Sequence, residues 1–270
     1  MATRPPAGTV EAWAYDYVTS ADLGHKLAPP PPPKIWQQNP PELRLLSPGR
    51  PRELQQEARV RPPRSLQSPR ARAKLLHTFF HHELQAAELM CWALLAFADT
   101  DLAFRRGLLK ICLDEVRHMR MYQQHIEKLG FQIGTFPTRD WFWKRVPSCT
   151  QPLQFVAMMG MGLEAANLEH AQDFAQRFKA AGDGEGAQVQ LRVGKEEIPH
   201  VKFAVSWFRR FAARSGKRVT FKDWCSALPE PLTPLMMRGL PLNRDARSQA
   251  GMSEEFLVEL ERWAEATPHS

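Results

Sequence analysis

Four stretches of helical periodicity, each about 30 residues long, limit what this chain can fold into. Within each stretch apolar residues recur every three or four positions, which is the pattern of an amphipathic helix. At 1.5 Å per residue each helix would span about 45 Å, so the four can pack along their whole length. They begin at the predicted N-cap residues Ser68, Asp101, Thr150 and Asp183 and end near Asp99, Gly130, Gly182 and Arg214.

The connections between these helices predict how they are arranged. Very short turns join the first helix to the second and the third to the fourth, so each pair should form an antiparallel hairpin. About 20 residues lie between the second and third helices, which is long enough to cross the length of a bundle. The predicted fold is therefore all-α, a four-helix bundle with one long crossover.

The chain outside these helices divides into two further regions. Residues 1–67 are rich in proline, with "PPPPPK" at 29–34, and their short apolar pieces predict an arm that packs on the bundle. The bundle itself is predicted over residues 68–215. Residues 216–270 form a C-terminal extension with a short helix that begins after the cap residue Ser253.

One glutamate lies near the middle of each predicted helix, 14 or 15 positions after the cap residue. The four carboxylates should therefore fall in one layer, and apolar neighbours on the same helix faces direct them toward the interior. A buried carboxylate without a compensating charge costs several kcal/mol, so this layer requires cations. The four residues are Glu83, Glu115, Glu164 and Glu197.

Two of these glutamates are followed three positions later by a histidine, in the pairs Glu115–His118 and Glu197–His200. Residues three apart share a helix face, so each pair can bind one ion from one side. Two helices with Glu alone and two with Glu-x-x-His are the ligand set of a di-iron or di-manganese carboxylate site. We therefore predict two bound iron ions, with manganese or a mixed iron–manganese pair as the alternative. No catalytic residue is predicted beyond the metal ligands, whose open positions would take dioxygen or substrate.

Charged residues next to the predicted ligands should orient them. A metal-bound histidine commonly donates its other N–H to a carboxylate. We therefore expect Asp114 to pair with His200 and Glu196 to pair with His118. Arg117 would neutralise excess negative charge nearby.

Other polar residues on these helices are assigned to packing. Glu88 and Glu169 each lie five positions past a predicted ligand, so they are expected at the surface or at an interface. Tyr122, one turn after His118, is either a redox residue or part of the core. Three histidines are expected on the helix surface or against the arm: His77, His81 and His82.

Several segments resemble a known family. "HTFFHHELQAAELMCWALLAF", "DEVRHM", "FPTRDWFW" and "EEIPHVKFAVSWF" resemble a bacterial ferritin-like family described as a domain of unknown function. That family is similar to the di-iron tRNA hydroxylases and, more remotely, to rubrerythrins and ferritins. The resemblance implies a ferritin-like fold and no specific substrate. Pro199 departs from the pattern, because it removes a helix hydrogen bond inside the second Glu-x-x-His and is expected to shift His200. The ligands that the resemblance implies are Glu83, Glu115, His118, Glu164, Glu197 and His200.

These features predict a di-iron oxidoreductase, an oxygen-dependent hydroxylase or oxidase whose substrate and electron donor are unknown. The resemblance makes tRNA a candidate substrate, for which Lys and Arg would have to cluster near the metal site. One alternative is an iron-binding or ferroxidase protein related to storage, although the long arm argues against a storage cage and favours at most a smaller oligomer. The other is a metal-free interaction module whose buried charges form a salt-bridge network.

Composition excludes several other classes. The net charge of +7 and the pI near 9.4 come from basic residues spread along the chain. The 4 cysteines have no CxxC spacing, so neither a zinc knuckle nor a disulfide framework is predicted. No apolar run approaches the roughly 18 residues of a membrane span, and the N-terminus lacks a secretory signal pattern. We expect a soluble, cytoplasmic protein with no membrane partner.

Overall fold

The computed structural model describes residues 4–214, 216 and 220–264, and over these residues the chain is helical and forms no β-strand. The predicted all-α class is confirmed. The chain divides into two compact units, residues 1–147 and 148–270. The division into arm, bundle and extension stays a prediction, and its ends at 1, 215 and 270 lie outside the described residues.

The first unit contains the first predicted hairpin. Its helices begin and end close to the expected residues, because local caps fix them: the Ser68 side chain accepts a hydrogen bond from the Ala71 N–H. The hairpin's second helix stops before Gly130, whose φ of +85° favours glycine. The helices of this unit are α1 (Val10–Thr19), α2 (Leu23–Leu27), α3 (Pro69–Ala96) and α4 (Leu102–Lys128).

The proline-rich segment packs on α3. Helix α1 lies against α3, and further along the chain the Leu43 N–H donates to the Leu95 carbonyl at 3.0 Å. The Trp92 indole N–H donates to the Leu45 carbonyl, also at 3.0 Å. Helix α4 also packs on α3, and all residues from 83 to 96 are buried.

The segment after α4 also packs on α3, through His77. This side chain is buried, and its Nε2 accepts a hydrogen bond of 2.7 Å from the Gly134 N–H. Burial, with a smaller effect of His81, lowers the pKa of His77 to about 4. The imidazole is therefore neutral at pH 7, as its role as an acceptor requires.

Acidification is expected to destabilise the protein through His77. The unfolded chain takes up a proton on this residue near pH 6.5, whereas the folded protein does so only near pH 4. The free energy of unfolding should therefore fall as the pH drops through this window, by roughly 3 kcal/mol. His77→Gln keeps an acceptor that does not titrate, so its urea midpoint should change less with pH than that of the wild type. Equal pH dependence in the two proteins would contradict this assignment.

The second unit contains the other predicted hairpin, with one interruption. Its first helical stretch is continuous from Pro152 to Ala180 but changes to a π-helical turn in the middle. Its N-cap is Gln151, which forms a capping box with Gln154, so the predicted cap at Thr150 is wrong by one residue. The elements are α5 (Pro152–Met158), the π turn (Met159–Glu164), α6 (Ala165–Ala180) and α7 (Gly184–Arg214).

Helix α7 keeps its course despite Pro199. Asp183 caps its start, since the carboxylate accepts the Gly186 N–H at 2.8 Å. The helix then continues without interruption through Pro199 to Arg214. His200 Nδ1 still lies 2.9 Å from Glu197 Oε2, so the proline does not separate this pair.

The π turn brings the first stretch close to α7. Gly160 lies in this turn, and a Cβ at this position would come within 2.1 Å of the Ala204 Cβ. Only glycine permits this approach, and Ala204 follows His200 by one turn. The close contact therefore occurs beside the part of α7 that carries the predicted metal ligands.

The C-terminal segment packs on these helices. The Trp224 indole N–H donates to the Ala157 carbonyl at 3.0 Å, and Ser253 caps the last helix as predicted. Among the described residues, no helix has the length and apolar character needed to cross a membrane. The elements are α8 (Phe221–Ala227), a 3₁₀ turn (Pro234–Met237), α9 (Arg244–Gln249) and α10 (Glu254–Arg262).

Candidate functional site

Three predicted ligands come together in the first unit. Glu83 of α3 meets Glu115 and His118 of α4, and the ligand atoms of all three lie within 4.8 Å of one another. His118 Nδ1 is 3.1 Å from Glu115 Oε2 and 3.6 Å from Glu83 Oε2. All three side chains are buried. The first unit thus holds a cluster of two carboxylates and one imidazole.

The second unit holds a cluster of the same composition. Glu164, the last residue of the π turn, lies near Glu197 and His200 of α7, again with all ligand atoms within 4.8 Å. His200 Nδ1 lies 2.9 Å from Glu197 Oε2. These side chains are buried as well. Both units therefore place one Glu-x-x-His pair beside one glutamate from another helix.

Local helix geometry positions two of the three residues in each cluster. Glu115 and His118 are one turn apart on a regular helix, as are Glu197 and His200, so each pair shares a face. Glu164 is positioned differently. It is the last residue of the π turn, which rotates its side chain relative to its place on a straight α-helix. Such turns occur often at functional sites. The sequence signal for it is "MGMGLE", in which two glycines interrupt a predicted helix.

The donor sets fit a divalent metal. Two carboxylates carry the charge of −2 that balances one divalent cation, and carboxylate oxygen with imidazole nitrogen suits iron or manganese. Exposed acidic groups are common on proteins, but these carboxylates are buried, where charge is costly unless it is compensated. Each cluster could therefore hold one such ion.

The residues expected around the ligands make local contacts. Asp114 Oδ1 accepts a hydrogen bond of 2.9 Å from Arg117, one turn away. Glu196 pairs with Arg192 at 3.1 Å. The Tyr122 side chain is buried, with its ring 5.9 Å from that of Phe79, which favours the core role. The cross-pairs of Asp114 and Glu196 with histidines stay a prediction.

The expectation that Glu88 lies at the surface is wrong. Its carboxylate is fully buried and binds Lys26 Nζ at 2.8 Å and the Arg50 guanidinium through two hydrogen bonds of 2.5 and 2.8 Å. The Trp143 indole N–H is the third partner of this carboxylate and donates at 2.8 Å. Burial would raise the pKa of Glu88, but Arg50 and Lys26 outweigh it and lower the pKa. Glu88 is thus an ionised centre that joins α3 to segments distant in sequence.

The network extends from Arg50 to a buried histidine. Arg50 Nε donates to Asp140 at 2.9 Å, and His81 Nε2 donates to the same carboxylate at 2.9 Å. Burial would raise the pKa of Asp140, but these partners lower it to about 2. Burial also lowers the pKa of His81. His81 therefore packs on the segment after α4, which agrees with a packing role and not with the helix surface.

Glu169 is buried too, so its predicted place at the surface is wrong. Arg247 donates to its two carboxylate oxygens at 2.8 and 2.7 Å. The Gly239 and Asn243 backbone N–H groups donate to the same carboxylate at 3.1 and 3.0 Å. The carboxylate thus anchors the C-terminal segment on α6 within the second unit. Its partners lie about 70 residues or more away in the chain, so helical spacing gave no signal for them.

The protein is all-α, and its two buried carboxylate–histidine clusters are ligand sets suited to a divalent metal ion. The chain belongs to the family described as "Protein of unknown function (DUF455)", which matches residues 9–258. An uncharacterized protein of Haemophilus influenzae is 23% identical over 204 residues, which are 73% of this chain and 70% of that protein. No solved structure matches the chain. The predicted membership in a family of unknown function is confirmed.

Proposed function

We propose that the chain is a di-iron carboxylate oxidoreductase, an oxygen-dependent hydroxylase or oxidase. In this proposal the two clusters are the halves of one dinuclear centre. The helical hairpins of the two units would then form one ferritin-like four-helix bundle. The observation that supports the proposal most is the repetition of a buried Glu, Glu and His set in both units.

Charge balance favours two metals over none. Four carboxylates carry −4, which two divalent cations neutralise, and in each cluster a histidine lies within 3.1 Å of the glutamate one turn before it. Two other buried carboxylates, Glu88 and Glu169, each have an arginine in bidentate contact. Each of the two clusters contains an imidazole, which, unlike a guanidinium, can bind a metal.

The residues of the clusters would hold the ions and orient them. Glu83, Glu115 and His118 would bind one ion, and Glu164, Glu197 and His200 would bind the other. Nδ1 of each histidine lies within hydrogen-bond distance of the glutamate one turn before it, and this contact keeps both side chains in place for binding. Bound ferrous iron would supply the electrons that reduce dioxygen. Burial of the ligands would exclude bulk water.

Dioxygen would be one reactant, and tRNA is a candidate for the other through the family resemblance. Manganese, or a mixed iron–manganese pair, is the alternative to two iron ions. The expected compartment is the cytoplasm.

Anaerobic loading followed by oxygen tests this proposal. The protein, freed of metal, is loaded with about two Fe(II) per chain and mixed with oxygenated buffer while the near-ultraviolet spectrum and oxygen consumption are recorded. We expect a band of protein-bound ferric iron and oxygen uptake that stops once the loaded iron is oxidised. Binding of less than about 0.2 metal ions per chain would contradict the proposal.

The same experiment separates the alternatives. A ferroxidase related to storage would continue to oxidise iron added in excess and would collect it in a large assembly, which size-exclusion chromatography detects. A metal-free interaction module would bind no iron, and chelators would leave its melting temperature unchanged.

A further inference from the structure

Two cysteine side chains of α3 and α4 touch in the interior of the first unit. Cys91 and Cys112 are both fully buried and both free. Their Sγ atoms are 3.4 Å apart, close enough for one thiol to donate to the other. The cysteine spacing predicted neither a zinc knuckle nor a disulfide framework, and the contact of these two thiols follows only from the packing of the two helices.

Each cysteine of the pair lies one helical turn from a buried glutamate of this unit. Cys112 precedes Glu115 of the first cluster by one turn of α4, and Cys91 follows Glu88 by one turn of α3. A change in the pair would therefore act on the hairpin that carries Glu83, Glu115 and His118.

We propose that Cys91 and Cys112 form a redox site that closes to a reversible intramolecular disulfide with a peroxide-class oxidant. One thiol releases its proton, the resulting thiolate attacks a peroxide oxygen and the O–O bond breaks. The leaving hydroxide takes up that proton, so the products are a sulfenic acid and one water. The second sulfur displaces the hydroxyl group, which leaves as a second water. In sum, two thiols and one hydrogen peroxide give one disulfide and two waters, and a dithiol reductant reverses the change.

The geometry suits this reaction. A disulfide bond is about 2.05 Å long, so the sulfurs must approach by about 1.4 Å, within reach of small side-chain rotations. The two helices belong to one hairpin and pack closely along their length. A disulfide is also less polar than two thiols, so its formation leaves no unsatisfied group in the interior.

Burial makes the pair slow toward reagents in bulk solvent. It raises the pKa of the Cys112 thiol, and the contact with Cys91 and the negative charge of Glu115 raise it further. Because the thiolate is the nucleophile, a protonated, enclosed thiol reacts slowly with large reagents. Hydrogen peroxide is nearly as small as water and can enter where larger oxidants cannot. Cys225, which is only partly buried, serves as an internal reference for an accessible thiol.

Peptide mapping tests the proposal on the full-length protein. Trypsin places the two cysteines in separate peptides, residues 75–105 and 111–117. Metal-free protein is treated with hydrogen peroxide, quenched with catalase, unfolded in N-ethylmaleimide and digested without reductant. We expect the two peptides to appear linked in the mass spectrum and to separate after dithiothreitol. Cys225→Ala should keep the link, and Cys112→Ala should lose it.

If no disulfide forms between Cys91 and Cys112, their two peptides will not be linked. Recovery of both peptides carrying N-ethylmaleimide, or with separate sulfinic acids, while Cys225 is oxidised would overturn the proposal. The wild-type map decides the matter even if Cys112→Ala folds poorly. Because metal-free protein is used, the proposal does not rest on the proposed function, and failure of iron binding would leave this result unchanged.

Discussion

Replacing Glu115 with glutamine is expected to reduce the iron bound after anaerobic loading from about two ions per chain to less than one. Glutamine has nearly the same shape but no charge, and it binds hard cations far more weakly than a carboxylate does. Because both clusters would belong to one dinuclear centre, the loss in the first unit should also weaken binding in the second. Elemental analysis of the loaded and desalted protein measures the effect.

The matched control for this variant lies on the same helix. Glu127→Gln changes an exposed glutamate of α4 and should leave iron binding intact. Glu197→Gln should behave like Glu115→Gln. If each variant instead lost one ion and kept the other, the clusters would be separate mononuclear sites and the dinuclear centre would be refuted. If Glu115→Gln kept two ions, Glu115 would not be a ligand.

Although Glu115→Gln should bind less iron, its metal-free form should not lose stability. Without metal, the buried charge of Glu115 costs free energy, so its removal is expected to leave metal-free protein as stable as the wild type or more so. Its contact with His118 can persist, since a glutamine oxygen also accepts the imidazole N–H. Urea unfolding of the metal-free protein would thus show whether Glu115 serves metal binding or the stability of the fold.

Replacing Glu88 with alanine should, in contrast, destabilise the protein. The change leaves Lys26 and Arg50 with buried positive charges and removes the acceptor of Trp143. Loss of one partner from a buried ion pair costs about 3–5 kcal/mol, so the free energy of unfolding should fall by this amount. Urea unfolding followed by far-ultraviolet circular dichroism measures it at neutral pH.

Two comparisons sharpen this result. Glu127→Ala removes an exposed carboxylate and should change the free energy of unfolding by less than about 0.5 kcal/mol. The double variant Lys26→Met with Glu88→Met removes one buried pair and fills its volume with apolar atoms, so it should recover part of the loss. If the free energy of unfolding of Glu88→Ala fell by less than about 1 kcal/mol, the contacts of Glu88 with its partners would not stabilise the fold.

Glu83 and Glu88 show what helical spacing can predict and what it cannot. Both are glutamates of α3, and helical spacing placed them on different faces. That step is correct, because one meets the α4 cluster and the other does not. The inference that the second face is exposed is wrong, because Lys26 and Arg50 cover it from the preceding segment. Helical periodicity gives the direction of a side chain but not what lies opposite it.

The sequence by itself determined the α-helices, most of their ends and the two Glu-x-x-His pairs. These features depend on contacts within about four residues, such as the Ser68 cap and the common face of Glu115 and His118, so a local pattern suffices. Only the tertiary structure decided which charges are neutralised, that Cys91 meets Cys112, and that a π turn positions Glu164. Those features depend on how helices pack and rotate against one another, and packing sums many weak contacts between residues far apart in the chain.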